Sequence, residues 1–200
     1  MKQNNIKIAV TGGIGSGKSL ACDFFGQSGY PVFSCDKIYA ELLERGSLQS
    51  EIVAEFGEEV INADLTLNRE KLSQIVFDDK ERLAKLNKIT HGKIFEEAFK
   101  RAERYRGIVF FEVPLLFEGG YEDLFDGVVV VLREESQRIL SVVQRDGVAE
   151  ESVKKRIKSQ FNYNISDFAQ YYVIHNAGNI DNLRDIASEI LSKITKDFSA

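Results

Sequence analysis

The chain has 200 residues, 44% of them hydrophobic and 28% charged, with a formal net charge of −5. That length buries a sizeable core as one domain carrying a large insertion, and so ordinary a composition excludes a disordered chain. No apolar run approaches the roughly 18 residues of a membrane span, and the negative balance argues against nucleic acid held by bulk electrostatics; small molecules are the partners expected.

The polar stretch Met1 to Asn5 runs directly into a strand pattern and leaves no room for an apolar signal core. Cys22 and Cys35 have neither disulfide-framework nor metal-ligand spacing and read as buried thiols in a reducing cytoplasm.

Short apolar, β-branched runs alternate with longer helical patterns, which predicts an α/β fold with a mainly parallel sheet. Strands are expected at Ile6 to Thr11, Pro31 to Cys35, Ile108 to Val113, Val128 to Leu132 and Tyr172 to His175. "GVVVVL" shows no alternation, as expected of a strand covered on both faces. After the first strand, a helix from Lys18 to Ser28 stacks Leu20 with Phe24 and Ala21 with Phe25 and stops at Gly29.

The stretch from 36 to 106 reads as helix throughout. Its periodic groups are Ile38, Leu42 and Leu43, then Leu72, Ile75 and Val76, then Leu83, Leu86 and Ile89. A crossover between neighbouring strands needs only one helix, so this is a helical insertion. Residues 133–165 form a second helical excursion, rich in charge, and Ile180 to Ile194 reads as a closing amphipathic helix. The core is then expected in about 1–35, 107–132 and 170–200.

"TGGIGSGKS" carries the pattern G-x-x-x-x-G-K-S between a strand and a helix, the context that makes it a phosphate-binding loop. Backbone N–H groups from Gly12, Gly13, Ile14, Gly15, Ser16 and Gly17 can turn around a polyphosphate. Lys18 reaches the β- and γ-phosphates, and the Ser19 hydroxyl takes a place on Mg²⁺. ATP and Mg²⁺ are the expected ligands.

Asp36 closes "PVFSCD" at the carboxyl edge of the second strand, where such sheets place their sites. It reads equally as a proton acceptor for an attacking hydroxyl and as a helix cap. Glu112, Pro114 and Glu118 stand in "FFEVPLLFE" at the exit of the third strand. Glu112 could order magnesium-bound water, or the segment could simply pack against the insertion. The arginines and lysines between Arg133 and Lys158 are diluted by acids and mostly form a solvated face, with one or two arginines expected to point inward over the migrating phosphoryl group. His91, in "KITHGKIF", reads as a structural histidine or a ligand contact.

Taken together, "TGGIGSGKS", Asp36, "LNREKL", His91, "EVPLLFE", "FDGVVVV", Arg145-Asp146, Gln160 and "VIHNAG" make the chain resemble the dephospho-coenzyme A kinases over nearly its whole length. The resemblance implies a three-layer P-loop NTPase fold with a five-stranded parallel sheet, a helical substrate-binding insertion and a helical lid. It implies phosphorylation of the ribose 3′-hydroxyl of dephospho-CoA by ATP, with Asp36 as general base and Arg145 on the phosphates beside Lys18. It further implies that Arg69, His91, Pro114, Leu115, Glu118, Arg138 and Gln160 serve the acceptor side, and that Asn176 and Gly178 lie by the adenine.

Several positions depart from the family pattern: Ser34 for an acid, Ala40 for an arginine, Gly92 for a proline, Ser141 for an arginine and Tyr171 for an aspartate. Arg138, one helical turn before Ser141, is expected to cover part of the charge missing there. The competing readings are another small nucleoside or nucleotide kinase, and a nucleotide-binding switch with weakened catalysis.

Overall fold

The computed structural model describes residues 5–77, 79–163 and 168–199. The first four residues of the expected core, Ala200 and residues 164–165 of the expected lid lie outside them.

From the N-terminus, β1 (Ile6–Thr11) leads through the glycine loop into α1 (Lys18–Gln27) and back to β2 (Val32–Ser34). Four helices follow: α2 (Cys35–Glu44), α3 (Ser47–Phe56), α4 (Arg69–Phe77) and α5 (Lys80–Ala102). Then come β3 (Ile108–Glu112), the one-turn α6 (Leu116–Gly119), β4 (Gly127–Leu132), α7 (Glu135–Asp146), α8 (Glu150–Ser159), β5 (Tyr172–His175) and α9 (Ile180–Asp197). The chain divides into two compact units, Met1–Ser34 with Ala102–Ala200, and Cys35–Arg101.

The first unit holds a five-stranded sheet in the order β2-β3-β1-β4-β5, and every pairing in it is parallel. β1 pairs with β3 on one side and β4 on the other, with Ile8 opposite both Phe110 and Gly127. Chain connections therefore diverge on either side of β1, which opens a crevice at its carboxyl end. The glycine loop starts there.

Ile8, Val10, Phe110, Val129, Val131 and Ile174 pack with Phe24 and Phe25 of α1 and Leu183, Ala187 and Ile194 of α9. The alternate residues Ala9, Val109, Phe111, Val128 and Val130 are buried as well. A strand buried on both faces has no polar positions to alternate, which is why "GVVVVL" reads as one apolar run. Within this core the rings of Phe25 and Phe110 stack at 4.2 Å.

The second unit corrects the expectation of helix throughout the insertion. Between α3 and α4 the chain leaves the helix at Gly57 (φ 88°), makes a single 3-10 turn at Glu58–Val60 and folds back so that Ile61 and Leu67 form an antiparallel bridge. The Asp64 carboxylate accepts from both the N–H and the hydroxyl of Thr66, and the hydroxyl bond holds its pKa below the usual carboxylate range. Asn62 and Asp64 are turn formers, but the apolar residues spaced through this stretch mask that signal. Asn68 and Asp79 then cap the next two helices, accepting from Lys71 N and from Glu81 and Arg82 N.

Phe110 is fully buried. Phe110→Ala should cost about 3–5 kcal/mol of unfolding free energy in urea titrations, the range for emptying a buried aromatic site; a loss near zero would mean that the stacked core does not hold the sheet.

Candidate active site

The glycine loop is shaped from outside. α1 begins at Lys18 with Gly17 (φ 97°) before it, and no side chain caps its first N–H groups, so the positive end of the helix stays available to an anion. Gly17 has no room for a side chain, because the amide of Asn176 lies where a Cβ would stand. Asn176 Nδ2 donates to Ser16 O at 2.8 Å, and its Oδ1 accepts from Gly178 N at 2.8 Å. The buried Ser16 hydroxyl has no hydrogen-bond partner among the described residues.

Three side chains from residues 133–160 hold the rest of the loop. Arg138, only 3% exposed, fills the space left by Gly13. Its Nε donates to Ile14 O at 2.9 Å. Gln160 Oε1 accepts from Ile14 N at 2.8 Å and from Arg138 Nη2 at 3.5 Å, so both polar groups of the Ile14 residue are tied. Arg133 Nη1 donates to Gly15 O at 3.3 Å and to Ser141 Oγ at 2.8 Å. The guanidinium at Ser141 is therefore that of Arg133 and not, as expected, that of Arg138, which Gly13 draws onto the loop. Burial pushes the Arg138 pKa down, while the nearby Glu135 charge acts to raise it.

A cavity of about 450 Å³ opens beside the loop, lined by Gly13, Ser16, Leu132, Arg133, Tyr163 and Asn176 among others. Tyr163 OH and Thr11 Oγ1 lie 3.3 Å apart, and burial pushes the phenol up to about 12, so it is neutral. On the opposite side of the loop, Ser19 Oγ donates to Glu112 Oε1 at 2.5 Å. That pair puts two hard oxygen donors side by side, the donor chemistry Mg²⁺ takes together with phosphate and water. Lys18 makes no hydrogen bond or ion pair among the described residues.

Arg145 lies exposed in the last turn of α7, with Nε and Nη2 gripping the two oxygens of Asp146 at 2.7 and 3.0 Å. That carboxylate raises its pKa. In "PLLFE", Pro114 is half-buried, Leu115 exposed and Leu116 buried. Glu118 Oε1 accepts from Phe161 N at 2.9 Å.

In the second unit, β2 having ended at Ser34, Asp36 falls in the first turn of α2 and is exposed. It stands inside the helix rather than ahead of it, where the amino-terminal dipole favours its charge. Arg69 opens α4 and sets its guanidinium 5.9 Å from the Tyr39 ring, one turn beyond Asp36. His91 is half-buried in α5 beside Phe95, and burial lowers its pKa.

Sequence reasoning named Arg133 only as one of the arginines of which one or two point inward, and did not single out Tyr163, Thr11 or Tyr39, which gain meaning only from contacts far away in sequence or across helices.

The family model for dephospho-CoA kinase matches residues 6–182. The chain belongs to the dephospho-CoA kinase family. Among dephospho-CoA kinases it is 35% identical over 195 residues to that of Lactobacillus acidophilus, covering 95% of this chain and 98% of the relative. It is 37% identical over 194 residues to that of Corynebacterium efficiens, covering 94% and 97%. A Thermus thermophilus protein of known structure aligns with a TM-score of 0.82 at 30% identity, over 95% of this chain and 98% of that one. The Campylobacter jejuni dephospho-CoA kinase aligns with a TM-score of 0.63 at 27% identity, over 96% and 98%. A Sinorhizobium meliloti gluconokinase, at 15% identity and a TM-score of 0.51 over 98% and 96%, shares the fold. The chain is thus an ATP-dependent kinase of this family.

The lowered His91 pKa has a consequence for stability. The unfolded chain, with histidine near 6.5, binds more protons than the native state between that value and the lower native one. The contribution of His91 is complete above about pH 6.5 and is lost as pH falls below it. Urea unfolding at pH 7 and pH 5 should therefore show a smaller acid loss in His91→Gln than in the wild type; equal losses would remove His91 as the cause.

Proposed function

We propose that this kinase transfers the γ-phosphoryl group of ATP to the ribose 3′-hydroxyl of dephospho-CoA, giving ADP and coenzyme A, in the cytoplasm and with Mg²⁺. What carries the reading is the glycine loop, whose helix end and Lys18 have no side-chain partner among the described residues, in a chain that matches the dephospho-CoA kinase model over residues 6–182.

In this reading the N–H groups of Gly13, Gly15 and Gly17 to Ser19 receive the phosphates, those of Ile14 and Ser16 being held by Gln160 Oε1 and Gly13 O, and Lys18 reaches the β- and γ-phosphoryl oxygens. Ser19 and Glu112 would hold Mg²⁺, Glu112 through water, and the ion would supply charge neutralisation for the phosphoryl group in transfer. The cavity beside Asn176 and Gly178 takes the adenine. With the Asn176 side chain engaged by Ser16 and Gly178, backbone groups are left to read the base.

Asp36 accepts the proton of the attacking 3′-hydroxyl and orients it for in-line displacement. Arg69, His91 and the exposed edge at Pro114 and Leu115 receive dephospho-CoA. Arg145 keeps Nε and Nη2 on Asp146 and turns Nη1 to the phosphates; a guanidinium so braced loses less freedom on binding than an unbraced one. Arg138 supports the loop from behind and adds positive potential there.

ADP release should be followed with ATP, Mg²⁺ and either dephospho-CoA, AMP, adenosine or no acceptor. Release with dephospho-CoA alone is expected. Release with AMP or adenosine instead would make this a different nucleotide or nucleoside kinase, and ATP binding without release would make it a switch protein. Asp36→Asn should lower kcat about 10²–10⁴-fold, the usual worth of a general base, while ATP still binds; unchanged turnover would leave Asp36 as a helix-terminal acid only.

A further inference from the structure

Two adjacent residues after α8 touch both the glycine loop and the "PLLFE" turn. Gln160 Oε1 accepts from Ile14 N at 2.8 Å, and Phe161 N donates to Glu118 Oε1 at 2.9 Å. The Phe161 ring lies 4.9 Å from that of Phe117. Phe117 is in turn surrounded by Tyr163, Phe168 and Tyr171 at 6.0, 5.7 and 5.5 Å. The Gln160 backbone is itself fixed, its N–H donating to Ile157 O at 3.2 Å. Arg138 stiffens the loop end of the path by holding Ile14 O and Gln160 Oε1 together.

The path from Ile14 through Gln160 and Phe161 to Glu118 therefore contains two hydrogen bonds and one covalent step. Ile14 belongs to the loop that takes the phosphoryl donor, and Glu118 ends the turn whose exposed edge is read as facing the acceptor. Phosphoryl transfer depends on the spacing of donor and acceptor, and small misplacements cost large factors in rate.

We infer that Gln160 and Phe161 form a strap that sets the position of the "PLLFE" turn against the phosphate loop, with Glu118 acting as a positioning residue through Phe161 rather than as a ligand of the acceptor. This rests on the assignment of Pro114 and Leu115 to the acceptor side. Its physical requirement at residue 118 is an acceptor oxygen, not a charge: an amide oxygen can take the Phe161 N–H as a carboxylate does. At residue 160 the requirement is likewise an acceptor for Ile14 N–H.

The strap makes an effect at a distance measurable. Glu118→Ala, Glu118→Gln and Gln160→Ala are compared with the wild type for the Kd of a non-hydrolysable ATP analogue, alone and with dephospho-CoA, and for kcat and KM of each substrate. Thermal melts establish that each variant is folded. Glu118→Ala and Gln160→Ala should each weaken the analogue several-fold in the absence of acceptor and lower kcat by about 10-fold, the loss of one charge-assisted or neutral hydrogen bond converted to a rate. The double variant should be little worse than either single one, and Glu118→Gln should restore analogue affinity close to that of the wild type.

Two results would overturn the strap. One is wild-type analogue affinity in Glu118→Ala. The other is Glu118→Gln behaving like Glu118→Ala with the loss confined to the KM of dephospho-CoA, which would make Glu118 an acceptor ligand recognised by its charge. Wild-type protein that fails to phosphorylate dephospho-CoA would sink the proposed reaction, while the analogue measurements would still decide the strap.

Discussion

A loop that binds phosphate must leave its inward N–H groups unspent, yet a turn of bare backbone has polar groups facing the protein that need partners. Here those partners come from side chains distant in sequence. Gln160 takes the N–H of Ile14, Arg138 its carbonyl, Arg133 the carbonyl of Gly15 and Asn176 that of Ser16. These bonds engage the outward backbone groups of Ile14, Gly15 and Ser16, which leaves the helix end at Lys18 for a ligand. The strand order serves this arrangement. With β4 beside β1 and β5 beside β4, the residues leaving the carboxyl ends of those strands, Arg133 and Asn176, arrive next to the loop.

The same constraint bears on Ser141, where the resemblance implies an arginine. Its hydroxyl accepts from Arg133, which also reaches Gly15. A cation at the end of a buried strand can thus occupy ground that a helix residue leaves open. Arg138, freed from that task, lies in the slot beside Gly13, where burial costs it solvation and hydrogen bonds to Ile14 and Gln160 offset the cost. Glycine at position 13 and arginine at 138 are therefore one feature: a side chain on either Gly13 or its neighbour space would displace the guanidinium.

The second unit adds a partly buried charge network to its apolar core and its helix caps. Arg101 joins Glu41 and Glu97 at 2.6 and 2.8 Å, and the hydrogen bond to Glu41 raises its pKa. Arg101 is only partly exposed, so this small network ties α2 to α5 more firmly than the solvent-exposed pairs around it. Beside it, the first turns of α2 and α4 bring Asp36, Tyr39 and Arg69 onto neighbouring ground. In the proposed reaction the carboxylate serves the attacking hydroxyl and the guanidinium the acceptor's phosphates.

Much of this was legible in the residues themselves. Strand positions such as Ile6–Thr11 and Tyr172–His175, the helix after the glycine loop and the identity of the phosphate loop follow from local pattern, because a parallel sheet buried on both faces writes continuous apolar runs and a glycine loop writes its own spacing. The fold back between Ile61 and Leu67 escaped, since turn formers and spaced apolar residues signal opposite structures over the same stretch. Which groups Gln160, Arg138 and Arg133 hold was also beyond reach. The charged excursion they sit in predicts that one or two arginines turn inward, but their partners lie on the far side of the chain. Local spacing determined which backbone would cradle phosphate; only the packed sheet decided which side chains hold that backbone open, because hydrogen bonds between residues so distant in sequence leave no trace in local order.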